Sequence, residues 1–137
     1  MKIFLAGPMR ASLHTKDFVD QSYRHRLRKK VWDTFPDATI FDPYLKCGED
    51  KSNTLTDEQQ REVFLREIEI AKASDLVVAY LSEVSMGTAI EIWSAYHAGS
   101  KVIVISPLIH NWTVKFICHH HFHTLEEFEV VDLKQLF

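Results

Sequence analysis

Ser85-Met86-Gly87-Thr88-Ala89-Ile90-Glu91-Ile92-Trp93-Ser94-Ala95-Tyr96-His97-Ala98-Gly99 lies between two apolar runs, Leu76-Val77-Val78-Ala79-Tyr80-Leu81 and Val102-Ile103-Val104-Ile105. Short aliphatic, β-branched runs read as strands, so the stretch between them reads as the crossover helix of a βαβ unit. Ser85 is its N-cap and Gly99 lies past its end. The helix is apolar almost all round, which predicts burial, yet Glu91 stands inside it on one face with Thr88, Ala95 and Ala98. A carboxylate in such a setting costs free energy unless something compensates. Pairing with a buried arginine or capping a subunit contact would do so. A buried glutamate is uncommon, however, and open α/β sheets bind ligands at the carboxyl ends of their strands. Glu91 is therefore the first candidate for chemistry.

Working outward, residues 2–6 form another short apolar run, ended by Gly7-Pro8. A helical stripe follows, with Val19, Tyr23, Leu27 and Val31 at four-residue spacing and Trp32 and Phe35 extending it. Residues 38–41 read as a second strand closed by Asp42-Pro43, and residues 44–55 as a polar, lid-like loop. Thr56 with Gln59 makes a capping box for a helix reaching about Ala73, with Phe64, Ile68 and Ala71 on its inner face. Beyond the last inner strand the sequence predicts a short helix from Asn111, an edge strand near His121, and a final helix opened by Thr124 with Glu127 three residues on. Strands alternate with helices, and the inner strands are apolar without alternation, as in parallel strands covered on both faces. The expected fold is a single α/β domain over residues 1–137, a doubly wound, five-stranded parallel sheet of flavodoxin-like type.

Composition narrows the function classes. A formal net charge of −3 argues against nucleic-acid binding as the main task. No apolar stretch approaches the roughly 20 residues that span a bilayer, and the short start before Gly7-Pro8 does not read as a signal peptide. Two distant cysteines, Cys47 and Cys118, form no ligand pattern, so a reducing, cytoplasmic setting is expected. There is no Walker loop and no GxGxxG, so no dinucleotide or triphosphate cofactor is expected. A smaller ligand with one anionic group suits the helix N-terminus opened by Ser85.

Other clusters read more plainly. Arg24, His25, Arg26, Arg28, Lys29 and Lys30 form a solvated basic face on a helix with its own apolar stripe. His119-His120-His121 with His123 cannot all point at one ion, and no metal site is expected. Cys118 has no visible partner to activate it as a nucleophile. Glu67, in the preceding helix, can reach the same sheet edge as Glu91, although a solvated glutamate on a helix is ordinary.

Ile3-Phe4-Leu5-Ala6-Gly7-Pro8, Asp42-Pro43, Ser74-Asp75-Leu76-Val77-Val78-Ala79 and Ser85-Met86-Gly87-Thr88-Ala89-Ile90-Glu91 together resemble the nucleoside 2-deoxyribosyltransferase family, which includes 2'-deoxynucleoside 5'-monophosphate N-glycosidases. The resemblance implies that Glu91 is the nucleophile that attacks C1' of the sugar, expels the base and holds a covalent glycosyl ester, with overall retention. The family's second carboxylate lies eight residues before the aspartate that opens the third strand, which is Glu67 counted back from Asp75. The family usually has aspartate there, so Glu67 is a departure. Transferases on free nucleosides carry an aspartate six residues before the nucleophile; this chain has Ser85, as the monophosphate hydrolases do. Gly7-Pro8-Met9-Arg10 resembles the loop with which those hydrolases hold phosphate, so Arg10 would supply the matching charge. Asn111 falls where the family reaches across from a neighbouring subunit, and is closer to the transferases. Gly7, Asp42 and Gly87 complete the implied substrate-binding set.

The expected activity is cleavage of the N-glycosidic bond of a (2'-deoxy)ribonucleoside 5'-monophosphate to free base and sugar phosphate. Base exchange by a 2-deoxyribosyltransferase, and a non-catalytic nucleotide-binding domain, are the alternatives. The apolar, Trp-containing segment 111–118 further predicts a homo-oligomer, dimer-based.

Overall fold

A computed structural model describes residues 1–9, 19–46 and 54–137. Among these, β1 (Lys2–Ala6), β2 (Thr39–Phe41), β3 (Leu76–Tyr80), β4 (Lys101–Ile105) and β5 (His120–Phe122) form one sheet in the order β2-β1-β3-β4-β5. Every neighbouring pair is parallel. Winding starts at β1, steps out to β2, then returns across β1 to β3 and continues outward. The direction reverses between β1 and β3, the place where doubly wound sheets leave a crevice at their carboxyl edge.

Alternate side chains of each inner strand feed opposite cores. On one face Ile3, Leu5, Leu76, Val78, Ile103 and Ile105 pack against Tyr23, Leu27 and Val31 of α1 (Ser22–Thr34), Leu125 and Phe128 of α6 (Leu125–Val130), and Leu133 of a closing 3₁₀ turn. On the other, Phe4, Ala6, Val77, Ala79, Val102 and Val104 meet Ala71 of α3 (Asp57–Lys72), Ile92 and Ala95 of α4 (Met86–His97), and Val114 of α5 (Trp112–Phe116). β1, β3 and β4 are therefore covered on both sides, which accounts for their unbroken apolar sequence. Each buried Val, Ile or Leu contributes roughly 1.5–3 kcal/mol relative to exposure.

The helix starts follow their capping residues. The Thr56 hydroxyl accepts from Gln59 N and the Gln59 side chain accepts from Thr56 N, a complete capping box on α3. Ser85 Oγ accepts from Thr88 N at the head of α4, and Gly99 takes φ +92 just beyond its end, the left-handed turn that stops the helix. Thr124 accepts from Glu127 N, while the Glu127 carboxylate takes His123 N instead of closing a box.

Five expectations need correction. The second strand begins at Thr39, and a short helix α2 (Pro43–Lys46) occupies the start of what reads as a loop; residues 47–53, with Cys47, lie outside the described residues. Val19 precedes α1 and Trp32 is exposed, so the stripe is Tyr23, Leu27 and Val31. Phe64 is exposed; the buried residues of α3 are Glu67 and Ala71, one turn apart. Finally, α4 is not buried all round: Thr88, Glu91, Ile92 and Ala95 face inward, whereas Met86, Ile90, Trp93 and Tyr96 are exposed.

Candidate active site

The loop after β1 carries Gly7 and Pro8, both buried, and α1 closes over it. Tyr23 Oη donates to Pro8 O at 3.0 Å, and the Tyr23 ring lies against Tyr80 at the end of β3, centroids 4.4 Å apart. A Cβ on Gly7 would run into the Tyr23 ring, 2.9 Å from two of its carbons, so the close approach requires glycine. Next to Tyr23, the buried Arg24 donates through Nη1 to Asp42 Oδ1 at 2.8 Å, through Nη2 to Gly7 O at 2.8 Å and through Nε to Gln21 Oε1 at 2.6 Å. Asp42 Oδ1 also accepts from Tyr44 N at 3.1 Å.

Glu67 of α3 and Glu91 of α4 are both buried beside this assembly, 5% and 7% exposed. Among the described residues neither carboxylate receives a hydrogen bond or an ion pair. Burial pushes Glu91 up to about 8, with the Glu67 charge adding to the rise and Arg24 opposing it. Burial likewise pushes Glu67 up to about 7, against the pull of Arg66 and Arg24 and with the push of Asp42. Two acids coupled in one low-dielectric site titrate as a pair and not singly. One can then be nucleophile or base while the other is the acid.

The sequence-derived candidates separate into pairs. Gly7 and Asp42 are joined through Arg24 at the carboxyl ends of β1 and β2, and Glu67 and Glu91 are buried on α3 and α4. Ser85 and Asn111 line a small cleft between the heads of α4 and α5, together with Leu81, Val84, Ala89, Leu108, Thr113 and Val114. The oxygens of both are engaged: Ser85 Oγ donates to Thr88 Oγ1 at 3.0 Å, and Asn111 Oδ1 accepts from Thr113 N and Val114 N. Gly87 has only Phe64 nearby, 3.7 Å from where a Cβ would sit, so packing alone does not require glycine there. Arg10 lies outside the described residues.

Arg24 is the residue that sequence reading misplaced, and Tyr23, expected on the apolar stripe of α1 and found there, also holds the loop after β1. Arg24 was expected on a solvated basic face and is instead buried. The signal was present: three and seven residues before Leu27 and Val31, Arg24 shares their face. The histidines are committed singly to the backbone. His119 Nδ1 accepts from Val102 N, His120 Nε2 bonds Leu136 O, and His121 Nε2 bonds Ser106 O. Among the described residues no three His, Cys, Asp or Glu side chains gather in a way that could hold a metal ion. Cys118 Sγ donates to Val114 O, and burial raises its thiol, the opposite of activation.

Comparison with curated proteins gives no significant sequence match. Among solved structures the chain is similar to a 2-deoxyribosyltransferase from Bacillus psychrosaccharolyticus, at TM-score 0.73 and 23% identity, over 99% of this chain and 96% of that one. A conserved protein from Enterococcus faecalis V583 superposes at TM-score 0.71 and 22% identity, covering 99% and 98%. A 2-desoxiribosyltransferase from Leishmania mexicana gives TM-score 0.52 and 20% identity, covering 80% and 69%. Identities this low speak for the fold alone, but the sequence profile described as "Nucleoside 2-deoxyribosyltransferase like" matches residues 1–109. The chain therefore belongs to the nucleoside 2-deoxyribosyltransferase-like family.

Proposed function

We propose that the protein hydrolyses the N-glycosidic bond of a (2'-deoxy)ribonucleoside 5'-monophosphate. The observation that carries this reading is the pair of buried carboxylates, Glu67 and Glu91, neither of which forms an ion pair among the described residues. Glu91 attacks C1' as the C1'–N bond breaks, and the departing base takes a proton from Glu67. Because Glu91 is pushed higher than Glu67, the form that reacts is the minor one of the singly protonated pair, with the proton on Glu67. The resulting glycosyl ester is opened by water at C1'. Glu67, now ionised, accepts the water's proton, and Glu91 leaves as carboxylate, giving net retention. Ser85 replaces a carboxylate beside the sugar 5' end, and the head of α4 favours an anion there; Arg10 supplies the positive charge, while Gly7, Asp42 and Gly87 shape the sugar site.

Base exchange on free deoxynucleosides is the second reading, favoured by Asn111 at the mouth of the Ser85 cleft. Two incubations separate them, followed by liquid chromatography. Free base from the monophosphates alone supports hydrolysis. New nucleoside from a deoxynucleoside plus a second base supports exchange instead. No turnover in either leaves a non-catalytic nucleotide-binding domain.

The same reading includes a homo-oligomer, supported by exposed Trp112 and Phe116 on α5 beside the cleft. A reducing, cytoplasmic setting belongs to the same reading, resting on two distant cysteines, Cys47 and Cys118, that form no ligand pattern. Among the described residues no helix is long and apolar enough to cross a membrane.

A further inference from the structure

Ser106, just past the carboxyl end of β4, is completely buried, and each of its polar atoms has a partner. Its bonding follows from its neighbour, Pro107. The β3–β4 ladder runs as far as Leu81 N, which donates to Ile105 O at 2.9 Å. In a parallel ladder the next bond would come from the N–H of residue 107 to Leu81 O, but proline has none. Ser106 Oγ donates to Leu81 O instead, at 2.7 Å. The same oxygen accepts from Leu108 N at 3.1 Å, a serine turn that leads the chain off the sheet, and Leu108 O in turn accepts from Asn111 N at 2.9 Å. Towards β5, Ser106 N donates to Phe122 O and His121 Nε2 donates to Ser106 O.

These bonds meet at the cleft between the heads of α4 and α5. Leu81 and Leu108 both line it, as do Ser85, four residues beyond Leu81, and Asn111, three beyond Leu108. One hydroxyl therefore joins the two loops that carry Ser85 and Asn111. Any donor would satisfy Leu81 O; a hydroxyl that also receives Leu108 N fixes the distance between the loops. We infer that Ser106 is a positioning residue of the substrate cleft: its hydroxyl sets the spacing of the Ser85 loop from the Asn111 loop, and with it how tightly the 5' end of the sugar is held. The inference rests on the proposed function for what the cleft binds, and on hydrogen bonds alone for how the cleft is held. On that reading bond cleavage belongs to Glu67 and Glu91, so loosening the joint weakens binding and spares the chemical step.

Ser106→Ala removes the hydroxyl and leaves Leu81 O and Leu108 N without it. KM for whichever substrate the parent turns over, monophosphate or nucleoside, should rise about tenfold, the worth of roughly one hydrogen bond, with kcat within about twofold of the parent's. Ser74→Ala is the control. Ser74 Oγ donates to Ile70 O at 2.8 Å, before the amino end of β3 and away from the cleft, so the variant loses a bond of the same kind and should leave KM unchanged. Amide hydrogen exchange gives a readout that needs no substrate. In Ser106→Ala the N–H groups of Leu108 and Asn111 should exchange at least about tenfold faster, and in Ser74→Ala at the parent's rate. A folded Ser106→Ala with the parent's KM, with a kcat loss larger than its KM rise, or with parental exchange at both amides overturns the inference, as does an equal KM rise in Ser74→Ala. Should Ser106→Ala fail to fold, Ser106→Cys, close to serine in size but a weak donor, takes its place with the same expectations. A parent that turns over neither substrate sinks the enzymatic reading, and the exchange rates then decide Ser106 alone.

Discussion

Glu91 occupies a position where an ionised carboxylate is poorly tolerated: buried, beside a second acid, with no donor among the described residues. The penalty has a definite pH signature. Its carboxyl loses the proton near the usual carboxylate range in the unfolded chain and at about 8 in the folded one, so between those values the native state binds more protons. Stability is therefore full at acid pH and falls as pH rises toward 8. Glu91→Gln removes the buried charge. Thermal melts from pH 5 to 9 should show the variant equal to the parent at pH 5 and more stable, by on the order of 2 kcal/mol, at pH 9, while base release is abolished. A variant destabilised across the whole range would mean that the carboxylate is a structural partner. Glu67 completes the pattern. On the proposed mechanism, below about 7 both acids are protonated and Glu91 cannot attack; above about 8 both are ionised and a departing base would find no proton. A bell-shaped kcat/KM profile peaking between those values is expected. Glu67→Gln should lose the alkaline limb and roughly 10²–10⁴-fold in rate, and a parent profile flat from pH 5 to 9 would refute the division of labour.

At the scale of elements, the head of α4 combines stability with selectivity. Ser85 caps the helix through Thr88 N, so Ser85→Ala should cost about 1 kcal/mol in chemical denaturation. Aspartate caps as well as serine does, but its charge would oppose a phosphate. Ser85→Asp should keep the parent's stability yet lower the preference for monophosphates over nucleosides at least about tenfold, the order expected for one unfavourable charge contact; an unchanged ratio of kcat/KM values would remove Ser85 from the 5' site. Such elements were readable because caps and strand ends are local: Ser85, Gly99, Thr56 with Gln59, and Thr124 each declare themselves within four residues. Glu91 was readable too, as a charge inside an apolar helix. Arg24 was readable only in part: its spacing from Leu27 and Val31 puts it on the buried face, but the partners that hold it there, Asp42 eighteen residues on and the carbonyl of Gly7 seventeen back, are not local. Nor was the exposed side of α4, since apolar residues on a helix look alike whether they face a core or a partner.

That exposed side matters at the scale of the whole molecule. The sheet satisfies its apolar strands with helices on both faces, yet one flank keeps a stripe uncovered: Met86 is 82% exposed, Trp93 51%, and Ile90 lies between them at 41%. His97 extends the line, its ring stacked on Trp93 with centroids 5.3 Å apart. The spacing 86, 90, 93, 97 places them along one side of α4, opposite Glu91 and Ala95, which face the sheet. Trp112, 78% exposed, and Phe116 add a second uncovered cluster on α5. Contiguous apolar surface of this kind is costly in water and typical of protein contacts. Because the opposite side of α4 carries Glu91, a partner seated on the stripe would brace the helix that holds the proposed nucleophile. Sedimentation equilibrium at about 10 µM, a concentration at which contacts of modest affinity are populated, should give a mass that is a multiple of 16.0 kDa. Ile90→Glu with Trp93→Glu should return it to the single-chain value without loss of far-ultraviolet helix signal. Base release should fall along with the mass, whereas a parent that sediments as a monomer would mean that the stripe serves no second copy of the chain.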